Sequence, residues 1–274
     1  MGKIRLIAMD LDGTALQSDR KRFSVRLLQA LEEAHRQGVA IAPVTGRQYG
    51  LLPDLLKVPH VWEDLVVLCN GGQVRKLRTG QLLHGLNIAP QALDRLLDLA
   101  EKYGLPIEFS VDSCLHLSSR SLQMQQGIPE LNFHRDTILA NHGRILEDLH
   151  LLRCQAVEKV NLLCIGPEIR EKVELELKDI DVSAVWASSS SMEITHPDAT
   201  KGEGVAHLCR LLDIPMESVM ALGDSGNDET MLRQAGLGVA MGNAPDYVKK
   251  CADVVTESNI CDGAAAAIER YVLI

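Results

Sequence analysis

The 274 residues are 46% hydrophobic and 24% charged, the balance of a folded globular chain and not of a disordered one. Twenty-eight basic residues face 37 acidic ones, and the net charge of −9 argues against nucleic acid or an anionic membrane as the main partner. No apolar run approaches the roughly 18 residues needed to cross a bilayer. Seven cysteines with no C-x-x-C pair fit reduced thiols in a cytoplasmic protein and not a disulfide or zinc framework. The amino terminus shows no secretory pattern, in keeping with that location.

Ile4 to Met9 is a short apolar run ending at Asp10-Leu11-Asp12-Gly13-Thr14, which predicts a buried strand entering a loop. Ser24 suits the N-cap of a helix carrying Val25, Leu28, Leu31 and Ala34 on one stripe, with Gly38 as its stop. Val39 to Val44 is a second strand, ending at Thr45-Gly46-Arg47. A short helix to about Lys57 and a third strand, Leu65 to Cys69, follow, the latter ending at Asn70-Gly71-Gly72. Strands with unbroken apolar runs, alternating with helices, point to a parallel sheet covered on both faces.

Near Gly80 the pattern changes. Pro90 opens a helix through Tyr103 that stops at Gly104. Strands are expected at Ile107 to Val111, Leu115 to Ser118, Val160 to Ile165 and Val182 to Ala187, with helices from about Gly143 to Leu152 and from Pro167 to Leu177. Residues 120–137 carry no assignment. From Met192 the first pattern is expected to resume. Thr200-Lys201-Gly202 leads into a helix, and Val219 to Leu222 forms a strand ending at Gly223-Asp224-Ser225-Gly226-Asn227-Asp228. A helix, a strand at Leu237 to Met241, a helix from Pro245, a strand at Val254-Val255 and a last helix from Asp262 follow. The expected organisation is a discontinuous core, 1–80 plus 189–274, with 81–188 inserted as an α+β unit.

Ligands of open parallel sheets bind at the carboxyl ends of the strands, and Asp10, Asp12, Thr45, Asn70, Asp224 and Asp228 all follow such ends. Asp10 and Asp12 are two apart, so in extended chain their carboxylates face one volume. They repel unless a cation lies between them or one is protonated. A hard, oxygen-seeking ion such as Mg²⁺ answers this, with Asp224 as a third carboxylate. One acid can then serve as nucleophile and the other as proton donor. An acidic turn that caps a helix explains the D-x-D-G-T string as well. Thr45-Gly46 offers a hydroxyl and an open amide to a phosphate, or simply a helix cap. Lys201 stands at a helix start, where the dipole disfavours a cation, which suggests a role beyond that of a solvated lysine. The Gly223 to Asp228 loop does not have EF-hand spacing. The nine histidines show no metal-ligand spacing.

Together these motifs resemble the haloacid dehalogenase superfamily, in particular its Cof-type phosphatases with a large inserted cap. Asp10-Leu11-Asp12-Gly13-Thr14 is similar to the first motif, Thr45-Gly46-Arg47 to the second, Lys201-Gly202 to the third and Gly223-Asp224-Ser225-Gly226-Asn227-Asp228 to the fourth. Asn70-Gly71, Met241-Gly242-Asn243-Ala244 and Asp262-Gly263 are further matches. The insert is placed by length and position only. Ala15 and the Glu193 to Pro197 segment depart from the usual pattern. The resemblance implies a Rossmann-like α/β core with an inserted cap. It further implies a Mg²⁺-dependent phosphatase of small phosphorylated metabolites, a sugar phosphate or a phosphorylated cofactor precursor. On that reading Asp10 attacks phosphorus to give an aspartyl-phosphate, and Asp12 protonates the leaving alkoxide and later activates water. Asp10, the Asp12 carbonyl and Asp224 hold the ion with support from Asp228, and the Leu11 amide, Thr45, Gly46, Lys201 and Asn227 hold the phosphoryl oxygens. Arg47 either reaches substrate or forms a surface ion pair. The insert closes over the site and selects substrates. The expected partner is a phosphorylated small molecule bound by a monomer or small homo-oligomer. A phosphomutase on the same scaffold and a phosphate-binding protein without turnover are the competing readings. Retention of both Asp10 and Asp12 argues against the latter.

Overall fold

A computed structural model of the chain describes residues 3–57, 61–126, 143–163, 165–187 and 190–273. Residues 127–137 of the unassigned stretch and half of the Ser188–Ser191 run lie outside that description. The strands in chain order are β1 (Leu6–Met9), β2 (Ala40–Pro43), β3 (Val66–Leu68), β4 (Gln73–Arg75), β5 (Leu82–Gly85), β6 (Ile107–Val111), β7 (Cys114–Ser118), β8 (Arg144–Leu146), β9 (Val157–Leu162), β10 (Ser183–Trp186), β11 (Met192–Thr195), β12 (Val219–Gly223), β13 (Leu237–Ala240) and β14 (Val254–Val255). The helices are α1 (Val25–Arg36), α2 (Asp54–Lys57), α3 (Pro90–Tyr103), α4 (Ser119–Met124), α5 (Pro167–Leu177), α6 (Lys201–Leu212), α7 (Glu229–Gln234), α8 (Asp246–Lys249) and α9 (Gly263–Tyr271).

The chain divides into two units. The first comprises Met1–Gly46, Leu52–His84 and Thr200–Ile274. Its main sheet has the order β14-β13-β12-β1-β2, all parallel. Every residue of β1 and β12 is buried, as expected of central strands covered on both faces. Leu6, Ala8, Ala42, Val219 and Ala221 pack with Val205 and Leu208 of α6 in one apolar cluster. Ser24 caps α1, its Oγ accepting from the Leu27 amide at 3.0 Å, and Arg26 ties α1 to α9 through Glu269 at 2.7 Å. Register decides where the chemistry sits. Met9 lies opposite both Pro43 and Leu222, so β1, β2 and β12 end level and release Asp10, Thr45 and Asp224 at one edge.

The third apolar run departs from its expected place. Among the described residues β3 pairs with the parallel sheet through the bridge Val44 to Val67, and its ladder is antiparallel with β4 in a separate sheet of order β3-β4-β5. Cys69, Asn70 and Gly71 all take positive φ, which folds the chain straight back on itself.

The second unit comprises Arg47–Leu51 and Gly85–Ala199. Its sheet has the order β10-β11-β9-β6-β7-β8, antiparallel except for β7 with β8. Ile107, Phe109, Val160, Met192 and Ile194 pack one face against Leu93, Leu96 and Leu99 of α3 and Val173 and Leu177 of α5. The return to the first pattern expected at Met192 occurs later. Met192–Thr195 alternates between core and opposite face as β11 and pairs with β9 and β10, and the first unit resumes at Thr200. The helix expected over 143–152 is instead β8 followed by a 3₁₀ segment, Leu149–Cys154. Among the described residues no helix is long and apolar enough to cross a membrane, and the six described cysteines are free thiols.

Candidate active site

β1 delivers Asp10 into the first unit's strand-end edge, and the Asp10 amide donates to Leu222 O at 3.0 Å, pinning it to the end of β12. The chain then turns through Leu11–Ala15 with Gly13 at φ +83°. A side chain at Gly13 would bring Cβ within 2.4 Å of Asp224 Oδ2, so this turn requires glycine on conformational and steric grounds alike. Leu11 is fully buried and Asp10 is 4% exposed.

Lys201 is the first residue of α6, whose N-cap Thr200 accepts from the Glu203 amide at 3.2 Å. Its side chain is wholly buried, and Nζ donates to Asp10 Oδ1 and to Asp228 Oδ1, each at 2.6 Å. Burial alone would push the ammonium down, but Asp10 and Asp228 outweigh it and hold Lys201 above its usual value. The second oxygen of Asp228 accepts the Asp224 and Ser225 amides at 2.8 and 2.9 Å, closing the loop after β12. Asp224 Oδ1 accepts from Thr14 Oγ1 at 3.0 Å and its Oδ2 from Asn243 Nδ2 at 3.2 Å.

Asp10, Asp224 and Asp228 each offer a carboxylate oxygen within 4.8 Å of the others. One lysine cannot neutralise three carboxylates. Burial first, then Asp228, pushes the Asp224 carboxyl up to about 6. Burial likewise raises Asp10, with Lys201 opposing and the other acids adding. A clustered all-oxygen donor set carrying excess negative charge suits a hard divalent cation. Asp12 lies beside this cluster in the turn, and its carboxylate is not part of the group.

Thr45 is 1% exposed at the end of β2, its amide bound to Val67 O at 2.9 Å, and Gly46 follows it half-buried. Asn227 is fixed at both ends of its amide: Nδ2 donates to Asn70 Oδ1 at 3.0 Å and Oδ1 accepts from Ser225 Oγ at 2.7 Å. One Nδ2 hydrogen remains for a ligand. Arg47 falls in the second unit, where its Nη1 donates to Leu51 O at 3.1 Å. Sequence reasoning missed the roles of Thr14, Asn70 and Asn243, which hold the acids and Asn227 in place. Their signal was their membership of motifs already singled out, but which atom each one binds depends on loops meeting in space.

Three carboxylates and one ammonium thus gather at the strand-end edge of a parallel α/β sheet. The family model described as haloacid dehalogenase-like hydrolase matches residues 7–268. A putative phosphatase of Bacillus subtilis, YxeH, is 31% identical, the match covering 98% of each chain. The B. subtilis 5-amino-6-(5-phospho-D-ribitylamino)uracil phosphatase YcsE is also 31% identical, over 98% of this chain and 96% of its own. A solved haloacid dehalogenase-like hydrolase from B. subtilis superimposes with a TM-score of 0.82 at 25% identity, covering 97% of this chain and 99% of that one. The chain belongs to the haloacid dehalogenase-like hydrolases, in their Cof-type phosphatase branch.

Proposed function

We propose that the protein is a Mg²⁺-dependent phosphatase of small phosphorylated metabolites that works through a phosphoryl group carried on Asp10. The observation that carries this reading is the convergence of Asp10, Asp224 and Asp228 around the Lys201 ammonium at one strand-end edge. The cation would be held by the carboxylates of Asp10 and Asp224 and the carbonyl of Asp12, with Asp228 orienting the loop. It supplies charge neutralisation for the phosphoryl oxygens.

The chain's own residues then account for the reaction. An Asp10 carboxylate oxygen forms a bond to phosphorus as the bond from phosphorus to the substrate oxygen breaks. Asp12 gives its proton to the departing alkoxide. In the second half Asp12 takes a proton from water, which attacks the same phosphorus and returns Asp10 as a carboxylate with release of inorganic phosphate. The Leu11 amide, Thr45, Gly46, Lys201 and Asn227 hold the phosphoryl oxygens, and positioning with charge neutralisation is most of what such transfer needs. The second unit selects substrates. A sugar phosphate or a phosphorylated cofactor precursor is the substrate class, and the ribityl phosphate named for the relative YcsE belongs in any test panel. The test is phosphate release from such a panel with Mg²⁺ and after chelation. Release that requires the ion and disappears in Asp10→Asn supports the reading, and full turnover after exhaustive chelation contradicts it.

A further inference from the structure

The loop after β13 contributes one side chain that links both halves of the acid cluster. Asn243 Nδ2 donates to Gly13 O at 2.9 Å and to Asp224 Oδ2 at 3.2 Å, while its Oδ1 accepts from the Asn259 amide at 3.0 Å. The orientation of this amide is unambiguous. A flip would turn its oxygen against a carbonyl and a carboxylate and its NH₂ against an N–H. The neighbouring chain fixes its position. Gly242 N donates to Glu257 O at 3.0 Å, and a Cβ at Gly242 would lie 2.7 Å from Ser258 N, so only glycine admits the approach that presents the Asn259 amide. Asn259 Nδ2 in turn donates to Leu16 O at 3.3 Å, at the far end of the Asp10 turn. A closed ring results: Gly13, Asn243, Asn259, Leu16 and back along the chain.

With Thr14 on the other oxygen, Asp224 receives one donor on each carboxylate oxygen. Both donors come from outside its own loop, and Asn243 also holds the carbonyl of the turn that carries Asp10. The carboxylate is thereby locked in rotation, and its remaining lone pairs are kept for a cation. We infer that Asn243 is a positioning residue for the cation site, clamping Asp224 to the Asp10 turn and so setting divalent-ion affinity. This rests on the metal-dependent reading above. Asn243 is itself exposed, so its truncation opens no cavity.

The test titrates the full-length protein with Mn²⁺ alone, a hard ion with the same liking for oxygen donors, and counts the free ion by its electron paramagnetic resonance. Truncation to Asn243→Ala is expected to weaken binding about 10- to 100-fold, the range for loss of a group that orients a metal ligand. Turnover at saturating ion should fall far less, whereas general damage to the fold would lower both together. Affinity within twofold of the unmodified protein overturns the inference. Failure of the unmodified protein to bind Mn²⁺ at all overturns the metal reading itself, so the two failures are distinguishable. A second measurement needs no variant. Saturating Mg²⁺ should shift the Asn243 side-chain amide resonances of the unmodified protein, and unmoved resonances overturn the clamp.

Discussion

Lys201 sits at the first turn of α6, where the helix dipole opposes a cation, and its side chain is wholly buried. The two carboxylates at 2.6 Å offset both costs. Lys201→Met keeps the length but strands Asp10 and Asp228 without their shared partner. Breaking a buried ion pair from one side costs about 3–5 kcal/mol, and urea unfolding should register a loss of that order. An unchanged midpoint would contradict the pairing. Asp224 gives a pH signature, shared with Asp10, whose carboxyl burial also raises. The Asp224 carboxyl stands at about 6 against an ordinary 3.8, so the metal-free folded state binds more protons than the unfolded chain between those values. This contribution to stability is complete below the unfolded value and is lost as pH rises through about 6. A cation competes with the same proton, so its apparent affinity rises with pH across that window. The thermal midpoint gained on adding Mg²⁺ should therefore widen from about pH 4 to about pH 6 and level off above it. A constant gain would exclude that titration.

At the scale of elements, the legible parts were those set by local chemistry. Ser24 before an apolar stripe marked α1 because a hydroxyl at that position satisfies an orphan amide. Ser24→Ala should cost about 1 kcal/mol in equilibrium unfolding. A neutral change would mean that the α1 start is held by packing alone. The apolar run at β3 was equally visible, but its partner was not. An apolar strand fits a parallel or an antiparallel neighbour, and the backbone turn at Cys69–Gly71 chose β4. The segment at β8 shows the same limit, since a strand of three residues paired parallel to β7 has no local periodicity to announce it. No strand was expected at β11, and its pairing with β9 and β10 is what assigns the segment to the second sheet.

At the scale of the whole molecule, the acids were legible because strand ends gather in a parallel sheet whatever their distance in sequence. The clamp was not: Asn243 and Gly13 are 230 residues apart, and no local pattern states which loop oxygen an asparagine will meet. Replacing Gly85–Ala199 with a short linker tests the proposed division of labour between the units. The remaining core should still bind Mn²⁺ and lose discrimination among phosphorylated substrates. An unchanged substrate profile would remove the second unit from selection.

The proposed division of roles has Asp10 carry the phosphoryl group and Asp12 move the proton. Asp12→Asn with p-nitrophenyl phosphate isolates it, because an aryl oxide leaves without a proton while hydrolysis of the intermediate still needs a base. Rapid quench in cold acid should give a burst of p-nitrophenol together with a protein-bound phosphate that hydroxylamine releases. Borohydride reduction followed by peptide mass spectrometry should place that phosphate at Asp10, as homoserine at that position. A phosphoryl group on any other residue, or turnover with no trapped intermediate under these conditions, would contradict the account.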